Sequence, residues 1–87
     1  MKKKPNKPKS PLSVLMAHMG TVHMDISGNR EVVFEGNKGI LEYSSSSIRI
    51  NAGKYIVVFK GRELQIRSMN ACDLVIWGFI TSIEYVF

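Results

Sequence analysis

Apolar positions recur along this chain with two different periods, and the change of period divides it. Leu12, Leu15, Met16 and Met19 fall at i, i+3, i+4 and i+7, the spacing of one helical face. Ser10 suits a cap, Pro11 the first turn and Gly20 the stop, so a short amphipathic helix is predicted over 12–20. Nine residues make too short a helix to be stable alone in water. It is expected to dock, either on the protein's own sheet or on a membrane surface or partner.

From Thr21 the period is two. Val22, Met24 and Ile26 alternate with His23, Asp25 and Ser27, as a half-buried strand requires. Three apolar blocks then close on glycine: residues 32–36, 57–61 and 74–78. Each is followed by a second apolar segment, at 40–43, 64–66 and 80–85. This reads as a β-hairpin written three times.

The registers follow from keeping apolar residues on one face. A loop of Gly28, Asn29 and Arg30 sets Ile26 opposite Val32 and Met24 opposite Phe34. A turn at Asn37-Lys38 pairs Gly36 with Gly39, Phe34 with Leu41 and Val32 with Tyr43. After a polar connection at Ser44 to Ser46, Ile48 and Ile50 point inward and Arg49 outward, and residues 51–54 turn. A turn at Gly61-Arg62 pairs Lys60 with Glu63, Phe59 with Leu64 and Val57 with Ile66. Residues 69–73 form a loop. A last hairpin around Gly78-Phe79 sets Leu74 opposite Ile83 and leaves Val75 and Trp77 on the other face, so that strand is expected to be covered on both sides. The chain stops at Phe87 within this strand, which is expected to make the C-terminus structural.

The fold class predicted is all-β: a small antiparallel sheet, barrel or sandwich built of successive hairpins. Seven or eight short strands are expected, with a short N-terminal helix. The length of 87 residues suits one domain with a small core. Unpaired edges on so small a sheet invite pairing with a second copy, so a homo-oligomer is expected.

Charge changes the picture only at one end. Lys2, Lys3, Lys4, Lys7 and Lys9 lie within the first eleven residues, with all three prolines and no acid. Residues 1–11 are therefore expected to be a disordered basic tail, followed by the helix at 12–20 and the β domain at 21–87. The apolar stretch after the tail is short and lacks a convincing cleavage site, so secretion is not expected. No apolar run approaches the ~18 residues of a spanning helix. From residue 12 onward seven Lys or Arg face seven Asp or Glu, so the net charge of +5 belongs to the tail. A nucleic-acid-binding domain spreads basic charge over a folded face, and this body does not. A small β-barrel RNA-binding module gripping phosphate through the lysine tail is the alternative reading.

Candidate chemistry is sparse. His18 and His23 have no accompanying Cys or carboxylate cluster, so no metal site is predicted. Ser44 to Ser47 lack the glycine-flanked elbow of a nucleophile. Cys72 is the one cysteine, which excludes an intramolecular disulfide; Asp73 beside it disfavours a thiolate, and the residue is expected to be half-buried and inert. Asp25 and Asp73 are single carboxylates. The glycines precede strands rather than helices, so none forms a phosphate loop, and no cofactor or enzyme activity is predicted. Phe34 and Phe59 fall on core faces, whereas Trp77 and Phe79 are candidate interface residues. Lys2, Lys3, Lys4, Lys7 and Lys9, followed by Leu12, Leu15 and Met16, form a candidate contact with an anionic membrane.

The segment Glu35-Gly36-Asn37-Lys38-Gly39-Ile40-Leu41-Glu42-Tyr43 resembles the YabP/YqfC family of small sporulation proteins, and more closely its YqfC branch. Ile48-Arg49-Ile50, then Gly61, Leu64 and Ile66, then Gly78, Ile80, Ile83, Glu84 and Tyr85 continue the resemblance in order over about residues 21 to 87. Family members often carry a proline before the first strand and a longer leucine-rich helix; this chain lacks the first and shortens the second. The resemblance implies a protein of endospore formation, made in the mother cell and acting around the forespore beside a membrane-protein companion. It brings no catalytic residues with it.

The tail has no apolar face to bury. Deleting residues 1–11 should leave the melting temperature within about 2 °C, as for a near-neutral surface change. A calorimetric scan that lost its cooperative transition would show the tail to be structural.

Overall fold

A computed structural model describes residues 22–87. The described residues are all-β, with six strands: β1 (His23–Ser27), β2 (Glu31–Glu35), β3 (Ile40–Tyr43), β4 (Ser47–Asn51), β5 (Ile56–Met69) and β6 (Asp73–Val86). They form one antiparallel sheet in the order β1-β2-β6-β5-β4-β3. The tail at 1–11 and the helix at 12–20 lie outside the described residues.

The first hairpin has the expected register, with Met24 opposite Phe34 and Ile26 opposite Val32. Ile48 and Ile50 are buried as expected. The three glycine-closed hairpins are replaced by something else. β5 and β6 are continuous strands of 14 residues each, paired along their length. Gly61-Arg62 and Gly78-Phe79 are bends inside those strands, not turns between strands. Phe59 therefore lies opposite Ile83, not Leu64; Lys60 lies opposite Ser82, not Glu63; and Leu74 lies opposite Met69, not Ile83. The turn that joins the two strands is residues 70–72, within the loop assigned to 69–73. Nor does Asn37-Lys38 close a hairpin. β2 pairs with β6, and β3 pairs with β4 through Ile40–Ile50 and Tyr43–Ile48, so Phe34 does not meet Leu41, nor Val32 Tyr43.

The sheet is folded over on itself. Phe34 is level with Leu74 on β6, and Phe59 is level with Ile83. Nine residues of strand would separate them by about 30 Å in a flat sheet. Their rings instead meet edge to face, with centroids 6.1 Å apart. The fold line passes near Gly78, midway between those rows. One half consists of β1, β2 and the adjoining ends of β6 and β5. The other consists of β3, β4 and the opposite ends of β5 and β6. The core between them holds Val32, Phe34, Ile48, Ile50, Val57, Phe59, Leu64, Leu74, Ile76 and Ile80.

Glycine is required at the fold line by contact as well as by conformation. A Cβ on Gly61 would lie 1.8 Å from the Phe79 carbonyl oxygen. A Cβ on Gly78 would lie 2.7 Å from the Glu63 oxygen and 2.8 Å from Leu64 Cα, and Gly78 also has a φ of +144°. The β5–β6 register shifts at Lys60/Gly61 and again between Arg62 and Gln65, with Glu63 at a φ of 54°. Such bulges turn the strand's faces over. Val57 and Phe59 point inward at odd positions, and Leu64 at an even one. The sequence pattern had grouped these residues on one face, and they do share the core.

Gly61→Ala or Gly78→Ala should cost about 3 kcal/mol or more, since backbone rather than a flexible side chain blocks the new methyl. Leu64→Ala should cost roughly 2–5 kcal/mol, and exposed Gln65→Ala under about 1 kcal/mol. Urea unfolding curves test the series; a glycine variant as mild as Gln65→Ala would contradict the crossing.

Candidate functional site

The folded sheet leaves two outward faces. On the β1–β2 half, strand alternation sends Val33 of β2 and Val75 and Trp77 of β6 away from the core. Phe79 continues that row past the bend. The Arg30 guanidinium lies 4.2 Å from the Phe79 ring centroid and the Arg62 guanidinium 4.9 Å, while Arg67 lies 4.5 Å from that of Trp77. Arg30 Nε also donates to the Gly78 carbonyl at 3.2 Å. Arg30 is supplied by the β1–β2 turn, Arg62 and Arg67 by β5. Trp77 remains 37% exposed, while Val75 and Phe79 on the same face are half-buried; the helix expected to cover this face lies outside the described residues. Trp77 and Phe79 thus share the outward face of β6. The sequence pattern favours a hairpin tip at Gly61-Arg62 and so does not reveal the arginines upon them; only the β5–β6 pairing brings Arg62 to Phe79.

On the other half, Leu41, Tyr55, Ile56, Val86 and Phe87 line a shallow cleft. Phe87 is 94% exposed. Tyr55 meets Tyr85 edge to face at 5.4 Å and Phe87 at 5.5 Å. The sequence offered no cue for this cleft, because β3 had been paired with β2. Behind it, Val58 is 1% exposed on the outward side of β5, level with Arg49 and Glu84. Two ion pairs frame this row, Arg49–Glu42 at 3.8 Å and Lys60–Glu84 at 3.7 Å.

Two of the polar residues considered for chemistry, Ser44 and Asp73, bond the backbone. Ser44 Oγ accepts from the Ser47 N–H at 3.1 Å and the Ser46 N–H at 3.3 Å, a serine turn. Cys72 is exposed rather than half-buried, because it caps the β5–β6 turn. Its carbonyl accepts from the Gly36 and Asn37 N–H groups and from Asn37 Nδ2, at 2.9, 2.8 and 2.7 Å. Asp73 Oδ1 accepts from the Gly36 N–H at 3.4 Å. Among the described residues no three His, Cys, Asp or Glu side chains converge to hold a metal, and no helix is long and apolar enough to cross a membrane. Lys2, Lys3, Lys4, Lys7, Lys9, Leu12, Leu15 and Met16 lie outside the described residues.

Exposed cation–aromatic contacts contribute about 0.5–1 kcal/mol each. A double-mutant cycle on Arg30→Ala and Phe79→Leu should return a coupling of that size in chemical denaturation. Strict additivity would show the stack to be energetically idle.

The model of the YabP family matches residues 19–86. No curated protein and no solved structure matches the chain. The match spans most of the chain, including every described strand, and it is to the family rather than to a branch within it. The chain belongs to the YabP family, which marks it as a sporulation-associated protein.

Proposed function

We propose that this protein is a non-enzymatic contact module of sporulation, of the YqfC-like kind, working on the mother-cell side of the forespore membrane beside a membrane-protein companion. The observation that carries this reading is the cleft of Leu41, Tyr55, Ile56, Val86 and Phe87. Contiguous exposed apolar side chains on a small domain mark contact surfaces. Family membership supports the sporulation setting. The five lysines of residues 1–9 support a second, weaker attachment: each basic residue near an anionic leaflet contributes about 1 kcal/mol, and the apolar positions Leu12, Leu15 and Met16 add a second signal. Phe34 and Phe59 are fully buried, so neither is a stacking platform for the RNA-binding alternative.

A fluorescent fusion should ring the forespore in sporulating cells. Leu41→Glu with Val86→Glu should disperse it; an unchanged ring would remove the cleft from the reading, and a diffuse wild-type signal would overturn the reading itself. Separately, vesicles containing anionic lipid should bind the full chain with an affinity that falls as salt rises. Vesicle binding that survives replacement of all five lysines by glutamine would eliminate the charge contribution.

A further inference from the structure

The outward face of the β1–β2 half has charges of opposite sign at its two ends. Going along the strands, the row of His23, Glu35 and Asp73 comes first, and the row of Asp25, Val33 and Val75 second. Next comes Ser27, Glu31 and Trp77, with Arg67 over the Trp77 ring. Phe79 comes last, between Arg30 and Arg62. Asp25, Glu35 and Asp73 thus stand at one end; towards the other stand Arg30, Arg62 and Arg67, which outnumber the one acid in those rows, Glu31 beside Trp77. None of these seven forms an ion pair with a described residue; the ion pairs among the described residues are Arg49–Glu42 and Lys60–Glu84, on the other half. The apolar stripe of Val33, Val75 and Trp77 runs from the acidic rows to Phe79 in the arginine row.

We infer that this face binds a second copy of the same chain. A sheet face packs on another face to face, and a two-fold interface must be complementary to itself. Two orientations bring the stripes together. In one, strands of the two copies run with like ends facing, which sets acid on acid and arginine on arginine. In the other, a two-fold axis crosses the strands near Val75 and Trp77, and each acidic end meets the partner copy's arginine end. The charge arrangement excludes the first and selects the second. Trp77 with Arg67 near that axis, and charged rows outside them, match the makeup of protein interfaces. Stacking on Phe79 and Trp77 holds the three guanidinium groups along the face rather than free in solvent, so less side-chain order is lost on pairing.

Sedimentation of the full chain under reducing conditions tests this directly. The wild type should dimerise, and dimerisation should weaken as salt rises. Arg62→Glu with Arg67→Glu makes both ends acidic; Asp25→Lys with Glu35→Lys makes both ends basic. Each double variant alone should dimerise about tenfold more weakly or worse, while an equimolar mixture of the two should regain dimers containing one of each. A monomeric wild type at high micromolar concentration would overturn the proposal, as it would if residues 12–19 covered this face instead. Dimers indifferent to both reversals would also overturn it and would point to pairing through strand edges. The wild type supplies a second reading free of any folding defect. Trp77 is the sole tryptophan, so its emission should shift to the red on dilution below the dimer's dissociation range; emission constant with concentration would count against the interface.

Discussion

Two backbones cross at Gly61 and Gly78, and the rest of the domain depends on that crossing. The Phe79 carbonyl occupies the place where a side chain at position 61 would begin, and the Glu63 carbonyl does the same at position 78. Without such proximity the β5–β6 ribbon would run on as a nearly straight twisted pair, with Phe34 and Phe59 far apart. With it, the two halves close and their inner faces exclude water from ten or so side chains. The described residues form a single sheet, so folding it over on itself is how they obtain a core.

Bending a strand breaks its ladder of hydrogen bonds, and a broken ladder inside a small core is costly. Each bend is satisfied by a polar turn from its own side. The Ser46 and Ser45 carbonyls accept from the Gly61 and Leu64 N–H groups at 3.1 and 2.9 Å. The Arg30 and Asn29 carbonyls accept from Gly78 and Ile80 at 3.1 and 2.8 Å. The serine run and the Gly28-Asn29-Arg30 turn are thus not passive connections. Tyr43 adds a further tie, its hydroxyl accepting from the Ile66 N–H at 2.8 Å where that edge of β5 has lost β4 as a neighbour.

Most inward residues were legible in the sequence because burial imposes a period of two wherever a strand has one wet face. But Leu41 and Tyr43, expected inward, are 53% and 52% exposed, and four expected short strands are the two long strands β5 and β6. Pairing was not legible, and the reason is specific. A bulge and a two-residue turn both shift an alternating pattern by one position, so Val57, Phe59, Leu64 and Ile66 share a face under either arrangement. Only the path of the chain differs. Distinguishing the two needs the contact that makes Gly61 obligatory, and that contact is with Phe79, far along the chain. The same blindness hid the arginine stack, since Arg62 was placed at the tip of a hairpin. Trp77 stood out as an interface candidate because it falls on the face of its strand opposite the one that carries Leu74 and Ile76.

The crossing also explains why the two outward faces differ. Each half keeps its own charge arrangement. On the β3–β4 half, Glu42 with Arg49 and Lys60 with Glu84 are paired within one chain, and an apolar cleft rimmed by Asn51 and Lys54 lies beside them. On the β1–β2 half, register puts Asp25, Glu35 and Asp73 at one end, while the β1–β2 turn and the bend of β5 bring Arg30 and Arg62 to the other. Ion pairs between neighbours on an exposed sheet contribute little, so their presence on one half and absence from the other is not explained by stability. The difference is one of what each face offers: an apolar cleft to whatever fills it, and a surface whose charges are not paired with one another among the described residues. A single bend in a two-stranded ribbon therefore sets both the core and the division between these surfaces.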